Sequence, residues 1–173
     1  MRIILTGKSG VGKSTLQQYI HQKMNVSKLI LTTTRPPRPS EENMLDYVFV
    51  SKHDFDTCLK QGVFSVHTDF KNNSYGFKAQ DFLANCVAVL DAKMVEQARH
   101  LFPDALVFKL DLPEVHRIGR LLKRGTEITS QDEEKYDSVS SDIILSTMGT
   151  RDEVYNRFSE AMTVHLNLVK NII

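Results

Sequence analysis

Close to the N-terminus the apolar run Ile3-Ile4-Leu5 leads into Gly7-Lys8-Ser9-Gly10-Val11-Gly12-Lys13-Ser14-Thr15, and this stretch constrains the chain more than any other. The spacing G-x-x-x-x-G-K-[ST] has a physical logic. Glycines let successive backbone N–H groups turn inward around phosphate oxygens, Lys13 reaches the outer phosphates, and Ser14 supplies a hydroxyl for Mg²⁺. The context is the required one: a short strand ends at Thr6, and residues 14–24 can form a helix whose positive N-terminal end faces the anion. The loop predicts phosphate binding on a strand–loop–helix unit.

A length of 173 residues supports one well-buried core and is short for two ordinary domains. At a formal net charge of +1 no broad basic field points to nucleic acid or a membrane surface, so the basic residues have to be read locally. Cys58 and Cys86 are far apart and lack metal-ligand spacing, which suits reduced thiols rather than a disulfide framework or a zinc site. None of the histidines forms a metal-like pair with another. No charged leader with an apolar segment precedes the first strand, and no apolar run approaches membrane-spanning length. The expectation is a soluble, cytoplasmic protein with neither nucleic acid nor membrane as partner and with its oligomeric state unassigned.

After the first helix, Lys28-Leu29-Ile30-Leu31 reads as a buried strand, short, apolar and bounded by polar turns. It ends in Thr32-Thr33-Thr34-Arg35-Pro36-Pro37-Arg38-Pro39, where the prolines make a stiff, extended loop. Arg35 and Arg38 then either converge on one anion or stand as solvated surface charge. Asp46-Tyr47-Val48-Phe49-Val50 is strand-like, and Ser51 offers an N-cap for a helix over residues 52–61 that Gly62 ends. Phe64, Val66 and Phe70 alternate with polar residues, a turn follows at 71–74, and Tyr75-Gly76 lies on the return, which predicts a small antiparallel lobe.

The main core resumes with the apolar strand Val87-Ala88-Val89-Leu90, which ends in Asp91; Met94, Val95, Ala98 and Leu101 then recur at helical spacing. Asp91 either holds a metal-bound water beside the phosphate loop or caps the following helix. A strand over 105–110 precedes a helix opened by Pro113-Glu114 and ending near Arg124-Gly125. Residues 126–141 are polar and read as a mobile flap or a plain surface connection. Ile143-Ile144-Leu145 is a final strand, and Val154, Phe158, Met162, His165 and Leu166 mark one face of a closing helix. Strands alternating with helices predict an α/β fold with a mostly parallel sheet flanked by helices. Ligands then bind at the carboxyl ends of the strands, after Thr6, Leu31, Leu90 and Leu145.

With these residues in place the chain resembles the guanylate kinases, P-loop nucleoside monophosphate kinases. The likeness covers nearly the whole chain: the phosphate loop, Thr33-Thr34-Arg35-Pro36-Pro37-Arg38, Asp46-Tyr47-Val48-Phe49-Val50-Ser51, Tyr75-Gly76, Leu90-Asp91 and Arg124-Gly125-Thr126. It implies a P-loop NTPase fold as a single domain over 1–173, with a core of about 1–31, 84–124 and 142–173, a monophosphate-binding lobe of about 32–83 and a short lid of about 125–141. It further implies that Arg35, Arg38, Tyr47 and Tyr75 hold the acceptor's phosphate and that Arg124 stands at the root of the lid over ATP. Lys13, Arg124 and Arg35 become the catalytic candidates, since phosphoryl transfer asks mainly for alignment and charge neutralisation. Mg²⁺ would be held by Ser14 and, through water, by Asp91, with ATP as co-substrate.

The departures concern the base. Guanylate kinases read guanine with polar side chains at positions that correspond here to Leu31, Val66, Phe77 and Lys93. Each unsatisfied guanine donor costs about 1–3 kcal/mol, and two such losses weaken guanine preference by roughly 10²–10⁴. The expectation is that phosphate handling is retained while base recognition is rebuilt, favouring a methyl-bearing base such as thymine or tolerating several bases, with Lys93 donating to a carbonyl oxygen. The alternative is that Leu31, Val66 and Phe77 are core residues of the lobe. In the lid only Lys135 stands for the family's second arginine, a point charge without the bidentate fork. A true guanylate kinase with rebuilt contacts, a kinase of phosphorylated sugars and a non-catalytic interaction module remain open readings.

Overall fold

The computed structural model describes residues 1–39, 41–125, 136 and 138–170, without the side chains of 169 and 170. In chain order its elements are β1 (Arg2–Thr6), α1 (Lys13–Met24), β2 (Ser27–Lys28), β3 (Leu31–Thr33), β4 (Tyr47–Phe49), α2 (Lys52–Lys60), β5 (Val66–Phe70), β6 (Asn73–Phe77), β7 (Cys86–Val89), α3 (Ala92–Leu101), β8 (Leu106–Asp111), α4 (Glu114–Lys123), β9 (Ile143–Ser146) and α5 (Arg151–Lys170).

Five of the strands form a parallel sheet of order β2-β7-β1-β8-β9. The central position of β1 follows from its sequence: Ile3, Ile4 and Leu5 are apolar without alternation, as a strand covered on both faces requires. Successive residues serve opposite faces. Ile3 and Leu5 pack with Leu16 and Ile20 of α1 and Phe158 and Met162 of α5, whereas Ile4 packs with Met94, Val95 and Ala98 of α3. The α/β architecture predicted from the sequence is therefore present, with helices on both sides. The buried face of α5 is shorter than predicted, because Val154, Phe158 and Met162 are buried while Leu166 is exposed.

The single strand predicted at residues 28–31 is corrected to two. Ser27 and Lys28 pair with β7 in the main sheet, and Leu29 N–H still donates to Val87 O. The chain then crosses over, and Leu31–Thr33 pairs with β4 and β6 in a second sheet. Leu29, Ile30 and Leu31 are apolar in a row and carry no mark of the handover, since Leu29 and Leu31 are both buried although they bond to different sheets. The second sheet, of order β4-β3-β6-β5, is mixed rather than antiparallel: β3 runs parallel to β4 and antiparallel to β6.

Local signals account for this lobe. Ser51 caps α2 by accepting from Asp54 N–H at 3.1 Å, and Phe55 of α2 stacks on Phe64 at 4.5 Å between ring centres. Gly76 lies under that ring, where a Cβ would come within 2.8 Å of Phe64, so no larger residue fits without displacement. The open edge of β5 is engaged by the core: His67 N–H donates to Gln97 Oε1 at 3.1 Å and Gln97 Nε2 donates back to His67 O at 2.8 Å. This pair ties β5 of the lobe to α3.

Candidate active site

The phosphate loop leaves the carboxyl end of β1 and closes into α1. Gly7 has φ 136°, and a Cβ there would stand 2.5 Å from Leu110 O, so the loop can pass β8 only as glycine. Gly12, with φ 102°, is the N-cap of α1 and makes no side-chain cap, which leaves the helix's first N–H groups directed at the cleft. Lys13 curls back over the loop, its Nζ donating to Gly7 O at 2.5 Å and Lys8 O at 2.9 Å. Ser9, Gly10, Gly12, Lys13, Ser14 and Thr15 line the cleft, whereas the side chain of Val11 is buried in the core.

Two arginines of α4 hold this loop from behind. Arg117 is wholly buried, donates to Ser9 O at 3.2 Å and grips the Glu114 carboxylate through both Nε, at 2.8 Å, and Nη2. That hydrogen bonding keeps the Glu114 carboxyl below its ordinary range. Arg120 donates to Val11 O at 3.4 Å and to Thr147 O at 3.0 Å. Neither residue was anticipated from the sequence. The available signal was the spacing of Arg117, Arg120 and Arg124, which places all three on one helical stripe. Arg124 caps the C-terminal end of α4 and lines the cleft.

Asp91 also lines the cleft, and its Oδ1 accepts from Met94 N–H at 2.9 Å, so it is the N-cap of α3. Burial pushes its carboxyl above the ordinary range, against the pull of the Met94 amide and of neighbouring Thr68 and Lys93. The folded chain therefore holds this proton more tightly than the unfolded chain, and the group's contribution to stability falls as pH rises from the ordinary carboxylate range through the raised value. Asp91→Asn keeps a good cap and removes the charge. At pH 7 the variant should melt at or above the wild-type temperature, with the difference shrinking as the pH falls toward about 4. Melting curves at several pH values check this, and a variant melting well below wild type at pH 7 rejects it.

Across the cleft, Arg35 donates from Nη2 to both carboxylate oxygens of Glu41, at 2.9 and 2.8 Å, and its Nη1 donates to Pro36 O at 2.8 Å. Glu41 further accepts from Arg38 N–H at 2.9 Å, and Arg38 Nη1 lies 3.6 Å away. Arg35 stands 5.2 Å from the Tyr47 ring centre, and Tyr47 meets Tyr75 edge-on at 6.4 Å. Burial opposes the Arg35 charge, but hydrogen bonding and attraction to Glu41 outweigh it and hold the guanidinium above its ordinary value; burial also raises the Tyr47 hydroxyl. Arg35, Arg38, Tyr47 and Tyr75 thus come together, around a carboxylate that sequence reading passed over. Its signal was the spacing: Glu41 follows Arg38 by three residues and Arg35 by six.

The four base positions do not line one pocket. Leu31 lines the cleft, but Val66 and Phe77 are wholly enclosed in the cluster that contains Leu29, Leu31 and Phe82. The reading of Val66 and Phe77 as pocket-lining residues is corrected: they face inward on paired strands and form its backing. Lys93 is exposed and borders a small side pocket beside Asp91. The walls of the main cleft, about 930 Å³ in volume, include Leu29, Phe70, Val89 and Met94. Tyr136 also lines it, buried, with its ring centre 5.8 Å from Lys13 Nζ. Lys135 and most of the predicted lid lie outside the described residues.

Among the described residues no three metal-ligating side chains cluster, and no helix is long and apolar enough to cross a membrane. Cys86 is buried, its thiol pushed up to about 11 by that burial.

A glycine-rich loop at the head of a parallel sheet, opening on the same cleft as an arginine–tyrosine cluster, defines the P-loop kinase class of fold. The profile of the guanylate kinase family matches residues 1–141. The guanylate kinase of Nostoc sp. is 35% identical over 133 residues, 72% of this chain and 67% of the relative. That of Lactobacillus johnsonii is 34% identical over 134 residues, covering 72% and 66%. The aligned stretch spans about two thirds of the length of these relatives. The crystal structure of guanylate kinase from Anaplasma phagocytophilum superposes with a TM-score of 0.75 over 95% of this chain and 85% of that one; at 17% identity the likeness is one of fold. The chain belongs to the guanylate kinase family, whose members are ATP-dependent nucleoside monophosphate kinases.

Proposed function

We propose that this chain transfers the γ-phosphoryl group of ATP to a nucleoside or deoxynucleoside monophosphate, giving two diphosphates. The observation that carries the reading is that the glycine-rich loop and the Arg35–Arg38–Tyr47–Tyr75 cluster line one cleft, a donor-type and an acceptor-type phosphate site facing each other. Lys13 and the amides at the start of α1 hold the donor phosphates. Arg35 and Arg38 take the acceptor's phosphate, with Tyr47 and Tyr75 donating from their hydroxyls. Arg124 neutralises charge on the transferring group from the lid root. Ser14 and Asp91 offer hard oxygen ligands on the same cleft, which suits Mg²⁺, a cation that keeps waters and takes few protein ligands. Bound there, Mg²⁺ supplies further neutralisation of the donor phosphates.

The names of the relatives favour guanine as the acceptor base and lend no support to a thymine preference. The apolar backing made by Val66 and Phe77 supports a looser reading of that base than a full set of polar contacts would allow. GMP is therefore the expected acceptor, preferred over dTMP by less than about 10² in kcat/KM. Coupled ADP release with a panel of monophosphates tests both parts. A GMP preference of several hundredfold overturns the looser reading, and no turnover with any acceptor despite ATP binding favours an interaction module.

A further inference from the structure

Arg117 is a buried charge that the phosphate chemistry leaves unassigned. It is wholly enclosed on α4, grips the Glu114 carboxylate through Nε and Nη2, and donates from Nη1 to Ser9 O at 3.2 Å. A guanidinium is costly to desolvate, and apolar side chains of similar volume often fill such a place at no loss of stability. Packing alone therefore does not account for an arginine here. What distinguishes it is the peptide group it holds.

That peptide joins Ser9 to Gly10. Among the described residues no peptide bond is cis, so its C=O and N–H point in opposite directions. With Ser9 O turned back onto Arg117, Gly10 N–H is turned away from α4. Gly10 itself sits against that helix: its φ is 88°, and a Cβ there would stand 3.0 Å from Leu121 Cγ and 3.3 Å from Arg117 O. Ser9 and Gly10 both line the cleft, and the enclosed Arg117 lies behind them. The side away from α4 is therefore the side a donor phosphate would occupy. A loop with glycine at 7, 10 and 12 has many backbone states open to it, so an outside tether is what keeps this amide aimed.

We infer that Arg117 is a positioning residue for the donor: by tying Ser9 O to α4 it holds Gly10 N–H toward the donor phosphates, with Glu114 fixing the guanidinium. It acts through the loop and touches no substrate. Attachment at two points is the essential feature, since Nε and Nη2 are taken by Glu114 while Nη1 serves the loop. The inference rests on the reading of this loop as the donor site and names a residue that shapes it.

Calorimetric titration of the whole chain with ADP and, separately, with GMP reads the two ends of the cleft apart, and steady-state kinetics adds KM for each substrate. Arg117→Met keeps an unbranched apolar stem in the buried place. It should weaken ADP and raise KM for ATP by about tenfold or more, lower kcat, and leave GMP binding within about twofold. It should melt near the wild-type temperature, because the Glu114 side chain is 45% exposed and can turn to water. Arg117→Lys should be about as weak for ADP, since an ammonium keeps the charge but cannot hold Glu114 and Ser9 O in one rigid fork. ADP affinity unchanged in Arg117→Met overturns the inference. Full recovery in Arg117→Lys also overturns it, by making buried charge rather than the directed tie the operative feature. Equal weakening of ADP and GMP with a lowered melting temperature does the same, by making Arg117 a part of the fold only. A wild-type chain that binds GMP but not ADP overturns the donor-site reading and this inference with it. ADP binding that depends on Arg117 as stated, without turnover of any acceptor, overturns the kinase reading and leaves this one standing.

Discussion

Lys13→Ala is expected to lower kcat for phosphoryl transfer by about 10³-fold or more, with little change in melting temperature. The ammonium lies over the loop on the wall of the cleft, and transfer depends on neutralising charge that develops on the outer phosphates. Two of its partners, Gly7 O and Lys8 O, belong to the part-buried loop at the cleft and can take water instead. Removal therefore costs chemistry rather than fold. Lys13→Met, which keeps most of the apolar stem and removes the ammonium that stands 5.8 Å from the Tyr136 ring centre, should be as inactive as alanine. Coupled ADP release and a melting curve test the pair of statements, and a kcat within tenfold of wild type would reject the assignment.

Arg35→Ala should raise the acceptor's KM by about 10² or more and lower kcat, while KM for ATP stays near its wild-type value. Here a stability loss should accompany the kinetic one. The Arg35 and Glu41 side chains are 15% and 13% exposed, and Glu41 would be left with the weaker, more solvated Arg38 as its charged partner. The cost is about 1–3 kcal/mol, the penalty of stranding a partly buried carboxylate. The double variant Arg35→Ala/Glu41→Ala separates the two effects, since it should regain stability without regaining turnover. Arg35→Lys should rescue little, because one ammonium cannot hold Glu41 and Pro36 O as Nη2 and Nη1 do and still present a planar fork to an acceptor phosphate. Unchanged acceptor KM and kcat in Arg35→Ala would remove this residue from the acceptor site.

Features that depend on neighbours in the chain were legible beforehand. The phosphate loop, the Ser51 cap and the strand-then-helix alternation each follow from a few consecutive residues, because glycine conformation, capping and amphipathic period are local properties. The apolar run of β1 announced a strand. The two-arginine loop was visible as charge on a stiff backbone, and the family resemblance supplied its phosphate.

What the chain could not disclose by itself concerns partners distant in sequence. The break between Lys28 and Leu31 depends on which sheet offers the next hydrogen bonds, and both offers come from strands more than a dozen residues away. Arg117 looks like any helical arginine until α4 packs beneath the loop, where Ser9 O lies 108 residues away in sequence. The base site shows the limit most sharply. Alternation assigns Val66, Thr68 and Phe70 to one face of β5, yet only the packing of β5 against β6 and α3 decides that Val66 is sealed while Thr68 and Phe70 reach the side pocket. The sequence determined that this chain handles phosphate and where its loop lies. Tertiary structure decided which side chains the cleft exposes, because exposure is a property of the surfaces that elements present to one another and not of the residues that compose them.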